Sequence, residues 1–125
     1  MGSDCTYLYL CGPMRNYPLH NFPAFDLAKE RLEKAGWHVV SPADLDRAAG
    51  LSPSVSGSDP GKEILRECML RDLPALAECE AVAVLKGWEL SYGVHVELAF
   101  ARFLGMDILD AETMEPLDME GYFPW

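Results

Sequence analysis

The stretch Ala81–Leu109, AVAVLKGWELSYGVHVELAFARFLGMDIL, decides the fold because its hydrophobic pattern changes from strand to helix and back within one run. Ala81-Val82-Ala83-Val84-Leu85 is apolar at every position, as a strand covered on both faces of a parallel sheet must be. Lys86 to Gly93 reads as a strand-to-helix loop. Val94 to Leu104 then reads as a helix that is apolar almost all the way round, closed by Gly105. Met106-Asp107-Ile108-Leu109 follows as a further strand.

The same alternation runs through the rest of the chain. Thr6-Tyr7-Leu8-Tyr9-Leu10 is a β-prone run ended by Gly12-Pro13, and Asn21-Phe22-Pro23 opens a helix. That helix carries Phe22, Phe25, Ala28 or Lys29, Leu32 and Ala35 at helical period before Gly36 stops it. Trp37-His38-Val39-Val40 is the next strand, ended at Ser41-Pro42. Residues 46–61 are the most loop-like stretch, either a lid or a segment without fixed structure. Lys62 to Leu73 reads as a helix with Ile64, Leu65, Cys68, Met69 and Leu73 towards the core, and Pro74 kinks it or starts a new turn. The expected fold is a single α/β domain over residues 1–125, with a C-terminal tail at 111–125. Its sheet is open and parallel with helices on both faces, Rossmann-like or flavodoxin-like, and its ligand crevice lies at the carboxyl ends of the strands.

Composition narrows the function classes. Half of the 125 residues are apolar, enough for one self-sufficient core. No apolar run reaches the length of a membrane span and no signal-peptide pattern opens the chain, so a soluble cytoplasmic protein without membrane partners is expected. The formal charge of −10 disfavours a nucleic acid partner, which needs a basic surface. A small anion remains possible, because backbone N–H groups and one arginine can hold a monophosphate. Cys5, Cys11, Cys68 and Cys79 show neither C-x-x-C spacing nor a zinc-type histidine partner, and are expected to be reduced thiols with no metal.

Glu97 is the residue that needs a reason. A solvated stripe on its helix would run through His95 and Arg102, and at about 100° per residue Glu97 falls roughly 200° from His95, among Val94, Phe100, Ala101 and Leu104. A carboxylate there costs free energy unless it is paired or used, although a first-turn glutamate complementing the helix dipole is the plainer alternative. Neither a dinucleotide G-x-G-x-x-G nor a triphosphate P-loop occurs. Gly12-Pro13-Met14-Arg15 and Ser91-Tyr92-Gly93 instead offer a hydroxyl, helix-start amides and one guanidinium, a set suited to a single phosphate. Ser91 reads equally as a plain N-cap and Arg15 as a surface arginine. Asp72 has a solvated or capping alternative, and Tyr9 belongs to the core unless it points into the crevice.

Tyr9-Leu10-Cys11-Gly12-Pro13-Met14-Arg15, then Arg71-Asp72-Leu73, then Ser91-Tyr92-Gly93-Val94-His95-Val96-Glu97 together resemble the nucleoside 2-deoxyribosyltransferase-like family. Within it the pattern is most similar to the 2'-deoxynucleoside 5'-monophosphate N-glycosidases and related pyrimidine nucleoside monophosphate hydrolases, from about Tyr7 to Leu109. The resemblance implies Glu97 as the nucleophile on the anomeric carbon, Asp72 as proton donor or positioner of base and sugar, and Tyr9 as the group orienting Glu97. It implies that Arg15, Ser91 and the Gly93 amide hold the 5'-phosphate while Gly12, Pro13 and Met14 lie against the sugar. It also implies a homodimer or larger even assembly with a shared active site, and no cofactor. Pro13 departs from the hydroxyl that monophosphate-specific members place in the first loop, and the Gly87-Trp88-Glu89 insert and the 46–61 loop point to a bacterial or phage branch.

The chemistry suits these residues. Breaking an N-glycosidic bond develops positive charge at the sugar, so one ionised carboxylate beneath the ring and one protonated acid at the leaving base divide the work. The expected activity is hydrolysis of a nucleoside 5'-monophosphate, 2'-deoxy by preference, to free base and sugar 5-phosphate. The alternatives are base exchange by a nucleoside deoxyribosyltransferase and a nucleotide-binding module without turnover. Tyr17, Phe22, Trp88 and Tyr92 are each able to stack on a base. Two apolar surfaces favour self-association: the Glu97 helix, and the tail ending Tyr122-Phe123-Pro124-Trp125, which otherwise folds onto its own domain.

Overall fold

The computed structural model describes residues 6–50 and 62–124. Four parallel strands, β1 (Tyr7–Cys11), β2 (His38–Val40), β3 (Ala81–Val84) and β4 (Asp107–Asp110), pair in the order β2-β1-β3-β4. Helices α1 (Phe22–Lys34), α2 (Pro42–Ala48), α3 (Lys62–Ala77) and α4 (Tyr92–Phe103) complete the expected α/β domain. From β1 the chain moves outward to β2, and from β3 it moves the other way to β4. The order therefore reverses between β1 and β3, the switch point at which open α/β sheets form a crevice.

Alternation along β1 assigns its side chains to two cores. Leu8 and Leu10 face α1, packing with Phe22, Phe25, Ala28 and Leu32. Tyr9 and Cys11 face the other way, into the core formed with Leu76 of α3 and Val94, Leu98 and Ala101 of α4. The helical period foreseen for α1 is present except at Ala35, which is exposed beyond the last turn.

Several expectations change. Residues 46–48 belong to α2 rather than to a loop: the Ser41 hydroxyl accepts from the Ala43 N–H at 3.2 Å, Pro42 occupies the first turn and Arg47 the last, so the helix is capped and charged at both ends. The remainder of the expected lid, 51–61, lies outside the described residues. Helix α3 continues through the exposed Pro74 to Ala77. Ile64 and Leu65 are exposed rather than turned towards the core. Cys11, Cys68 and Cys79 are free thiols, and Cys5 lies outside the described residues. No described helix is long and apolar enough to cross a membrane.

The tail folds back on its own domain. Leu117 donates to the Ile108 carbonyl, and Tyr122 stacks on His95 with ring centroids 5.5 Å apart. The Tyr122 hydroxyl is hydrogen-bonded to His95 Nδ1, Trp88 packs against both rings, and Arg102 lies over Phe123. His95 and Arg102 therefore do not form a bare solvated stripe. The tail covers that side of α4, while Tyr92 and Phe103, at 80% and 79% exposure, carry the helix's open apolar side.

Candidate functional site

Glu97 and Asp72 come from different helices on the same face of the sheet, near enough for the Asp72 charge to act on Glu97. Helix α4 begins at Tyr92, so Glu97 lies in its second turn and gains little from the dipole; the first-turn reading does not hold. Its side chain turns inward, at 5% exposure, and accepts from the Tyr9 hydroxyl at 2.9 Å. The Cys11 thiol, two residues further along the same face of β1, donates to it as well. Tyr9 is thus a core residue that bonds to the acid from within the core.

The electrostatics follow from burial. Desolvation first, then the nearby Asp72 charge, raises the Glu97 carboxyl to about 8, against the lowering effect of the Tyr9 and Cys11 hydrogen bonds. Desolvation, with Asp46 adding repulsion and Arg71 opposing it, lifts Asp72 to about 7. Near neutrality Asp72 begins to ionise while Glu97 keeps its proton, and the Asp72 charge is what raises Glu97 further. Burial also pushes Tyr9 and Cys11 upward, with Glu97 reinforcing it, so both remain donors.

The candidate phosphate group lies at the neighbouring strand ends. The loop bearing Gly12, Pro13, Met14 and Arg15 leaves β1, and the one bearing Ser91 and Gly93 leaves β3. These loops touch: a Cβ at Gly87 would stand 2.7 Å from the Tyr17 hydroxyl and 3.4 Å from Pro13, which with φ +89° requires glycine. The Ser91 hydroxyl accepts from the Val94 N–H at 3.3 Å, the N-cap role, which leaves its own proton for another acceptor. Arg15 is exposed. Pro13 is buried, with its carbonyl accepting from Asn21 at 2.9 Å, and Met14 packs on the α1 core, so that loop offers a ligand mainly backbone. Phe22 is buried beneath Arg47 and Trp88 is engaged by the tail, leaving Tyr17 and Tyr92 as the accessible stacking candidates.

Two parts of the site escaped sequence reasoning. Cys11 was signalled only by its spacing from Tyr9. Asp46, buried and bonded to Arg71 Nη2 at 3.3 Å, stood in a stretch taken for loop. Among the described residues no group of three or more His, Cys, Asp or Glu side chains is arranged to hold a metal ion.

The profile of a domain of unknown function, DUF4406, matches residues 6–110. The chain belongs to the DUF4406 family. No curated protein matches it. Among solved structures, the chain is similar to the solution structure of BlsM, with a TM-score of 0.57 and 23% sequence identity over 84% of this chain. It spans 64% of that chain, and the likeness is one of fold.

Proposed function

We propose that this DUF4406 protein is an N-glycosidase that hydrolyses a nucleoside 5'-monophosphate, 2'-deoxy by preference, to free base and sugar 5-phosphate. The observation that carries this reading is the two buried carboxyls Glu97 and Asp72, with Glu97 held by Tyr9 beside the β1–β3 switch point. A structural role alone leaves two adjacent buried carboxyls as a cost with no return. The motif resemblance to the nucleoside 2-deoxyribosyltransferase-like family supports the same assignment.

In the proposed reaction a Glu97 oxygen attacks C1' as the C1'–N bond breaks, its electron pair passing to the base, which takes the proton from Asp72. Water then attacks C1', gives its proton to Asp72 and releases Glu97. Tyr9 and Cys11 hold the carboxylate in line, and Ser91, Arg15 and the Gly93 amide take the phosphate. Such an enzyme would draw on the cytoplasmic nucleotide pool. We also propose a homodimer through the open side of α4, where Tyr92, Val96 and Phe103 form one exposed apolar stripe.

The test is a product screen across ribo- and deoxyribonucleoside monophosphates, with and without a second base. Free base from at least one nucleotide is expected, and Glu97→Gln should lower kcat by at least about a thousandfold with binding largely kept. A new nucleotide in the presence of a second base would replace hydrolysis with base exchange. Tight binding without base release would leave a binding module.

A further inference from the structure

The loop that leads into Ser91 has no apolar anchor at its tip. Leu90 and Tyr92, on either side of Ser91, are 85% and 80% exposed. Its own hydrogen bonds are short-range turns: the Trp88 N–H donates to the Leu85 carbonyl at 3.2 Å, Leu90 to Gly87 at 3.2 Å and Ser91 to Trp88 at 3.1 Å. Such turns fix the curl of a loop and not its placement against the rest of the domain. On the β1 side that placement comes from Gly87, which lies against the Tyr17 hydroxyl and Pro13.

On the other side it comes from the C-terminal tail, through His95 near the start of α4. His95 Nε2 faces the Glu89 carbonyl at 2.7 Å, and a carbonyl can only accept, so Nε2 carries the ring proton. Nδ1 of the neutral ring is then an acceptor, and the Tyr122 hydroxyl donates to it. Burial pushes that phenol upward, which keeps it a donor. A continuous run of bonds thus joins Tyr122, the imidazole and the loop backbone two residues before Ser91. Trp88 packs against it, with its ring 5.9 Å from those of His95 and Tyr122. Phe123 meets Tyr122 edge-on at 4.7 Å, and Arg102 lies 5.4 Å over Phe123. His95 is roughly 200° round α4 from Glu97, so this group stands apart from the carboxyls.

We propose that Tyr122 and His95 are positioning residues for a sugar phosphate: by holding the Glu89 carbonyl and Trp88, they aim the Ser91 hydroxyl and the Gly93 amide at the anion. This rests on the glycosidase reading, in which those two groups take the 5'-phosphate. Tyr122 and His95 act through the loop and do not touch the ligand. The coupling is short. Ser91 Oγ accepts from the Val94 N–H at 3.3 Å and the Ser91 carbonyl accepts from the His95 N–H at 3.2 Å, so a shift at Glu89 passes directly into the cap. A hydroxyl and an amide displaced by about 1 Å lose their alignment on a phosphate oxygen. The tail thereby governs how tightly the phosphate is held, whichever base the sugar carries.

Calorimetric titration with 2-deoxyribose 5-phosphate, the product common to every 2'-deoxy substrate of the proposed reaction, tests this without turnover. The wild-type protein should bind it. Tyr122→Ala should weaken binding at least about fivefold, and Tyr122→Phe, which keeps the stacked ring and loses the hydroxyl, at least about threefold. In Ser91→Ala protein either Tyr122 change should cost less than about twofold further, because the hydroxyl it aims is already gone, whereas losses from general loosening of the fold add. Thermal melts set the temperature of the titrations, and should Tyr122→Ala unfold the protein, Tyr122→Phe in the two Ser91 backgrounds carries the test. Unchanged affinity in the Tyr122 variants, losses that add to that of Ser91→Ala, or no binding by the wild type overturns the proposal. The two readings fail separately: these losses without base release from any nucleotide remove the glycosidase and keep the positioning group, and base release with KM unmoved by Tyr122→Ala removes the positioning group alone.

Discussion

Glu97 combines an unfavourable location with a well-defined set of partners, and both aspects can be measured. With Asp72 raised to about 7 and Glu97 to about 8, the one proton kept between those values sits mainly on Glu97, and the proposed reaction runs through the exchanged form in which Asp72 carries it. The pH profile of kcat/KM should therefore be bell-shaped with its maximum between those values, falling in acid as both carboxyls are protonated and in alkali as both ionise. Tyr9→Phe removes a hydrogen bond that lowers the Glu97 value, the higher of the two, so the alkaline limb should move to higher pH and kcat should drop about 10- to 100-fold. Stability carries the opposite sign from activity. Between the ordinary carboxylate range and about 8, the unfolded chain releases a proton that folded Glu97 keeps, so the folded state loses stability as pH rises through that window. Glu97→Gln should consequently stabilise the fold at pH 8 relative to wild type, by on the order of a few kcal/mol and with a higher Tm, and change it little at pH 4, as paired thermal melts would show. The misplaced charge was legible in the sequence from its wheel position. Its partner Cys11 was not, because a thiol among apolar residues is ordinarily just core.

At the level of elements, α4 was legible in type and extent, and Ser91 explains its start. Ser91→Ala should cost about 1 kcal/mol through the lost cap. If the same hydroxyl also holds the phosphate, KM for monophosphates should rise severalfold while kcat stays within about twofold, a split that a purely structural cap would not produce. Helix α2 was obscured by the glycine, serine and proline that follow it, although Ser41-Pro42 was itself a start signal. Tail docking was open in the sequence because aromatic residues seek burial without specifying against what. His95 decides it, bonding to Tyr122 on one ring nitrogen and to the Glu89 carbonyl on the other at 2.7 Å, thereby tying the tail to the loop that leads into Ser91.

For the whole molecule, strand order turns scattered motifs into one place. Parallel pairing of β1 with β3 brings the Gly12 and Ser91 loops side by side, and the same face of β1 aims Tyr9 at a residue 88 positions away. With Tyr122 and Phe123 satisfied within the chain, the case for self-association rests on the exposed stripe of Tyr92, Val96 and Phe103. Sedimentation should give a dimer, and Val96→Glu with Phe103→Glu should yield a folded monomer, since charges on exposed positions cost the fold little but cannot be buried unpaired between subunits. A wild-type monomer at micromolar concentration would remove the dimer.

The sequence by itself determined the α/β class, the succession of elements and the odd position of Glu97, because hydrophobic period and punctuating glycines and prolines act over a few residues. Only the tertiary structure decided that Asp72, Cys11 and Tyr9 surround that acid and that Asp46 anchors Arg71. Those contacts join helices and strands distant in the chain, and their electrostatics depend on how completely packing removes water.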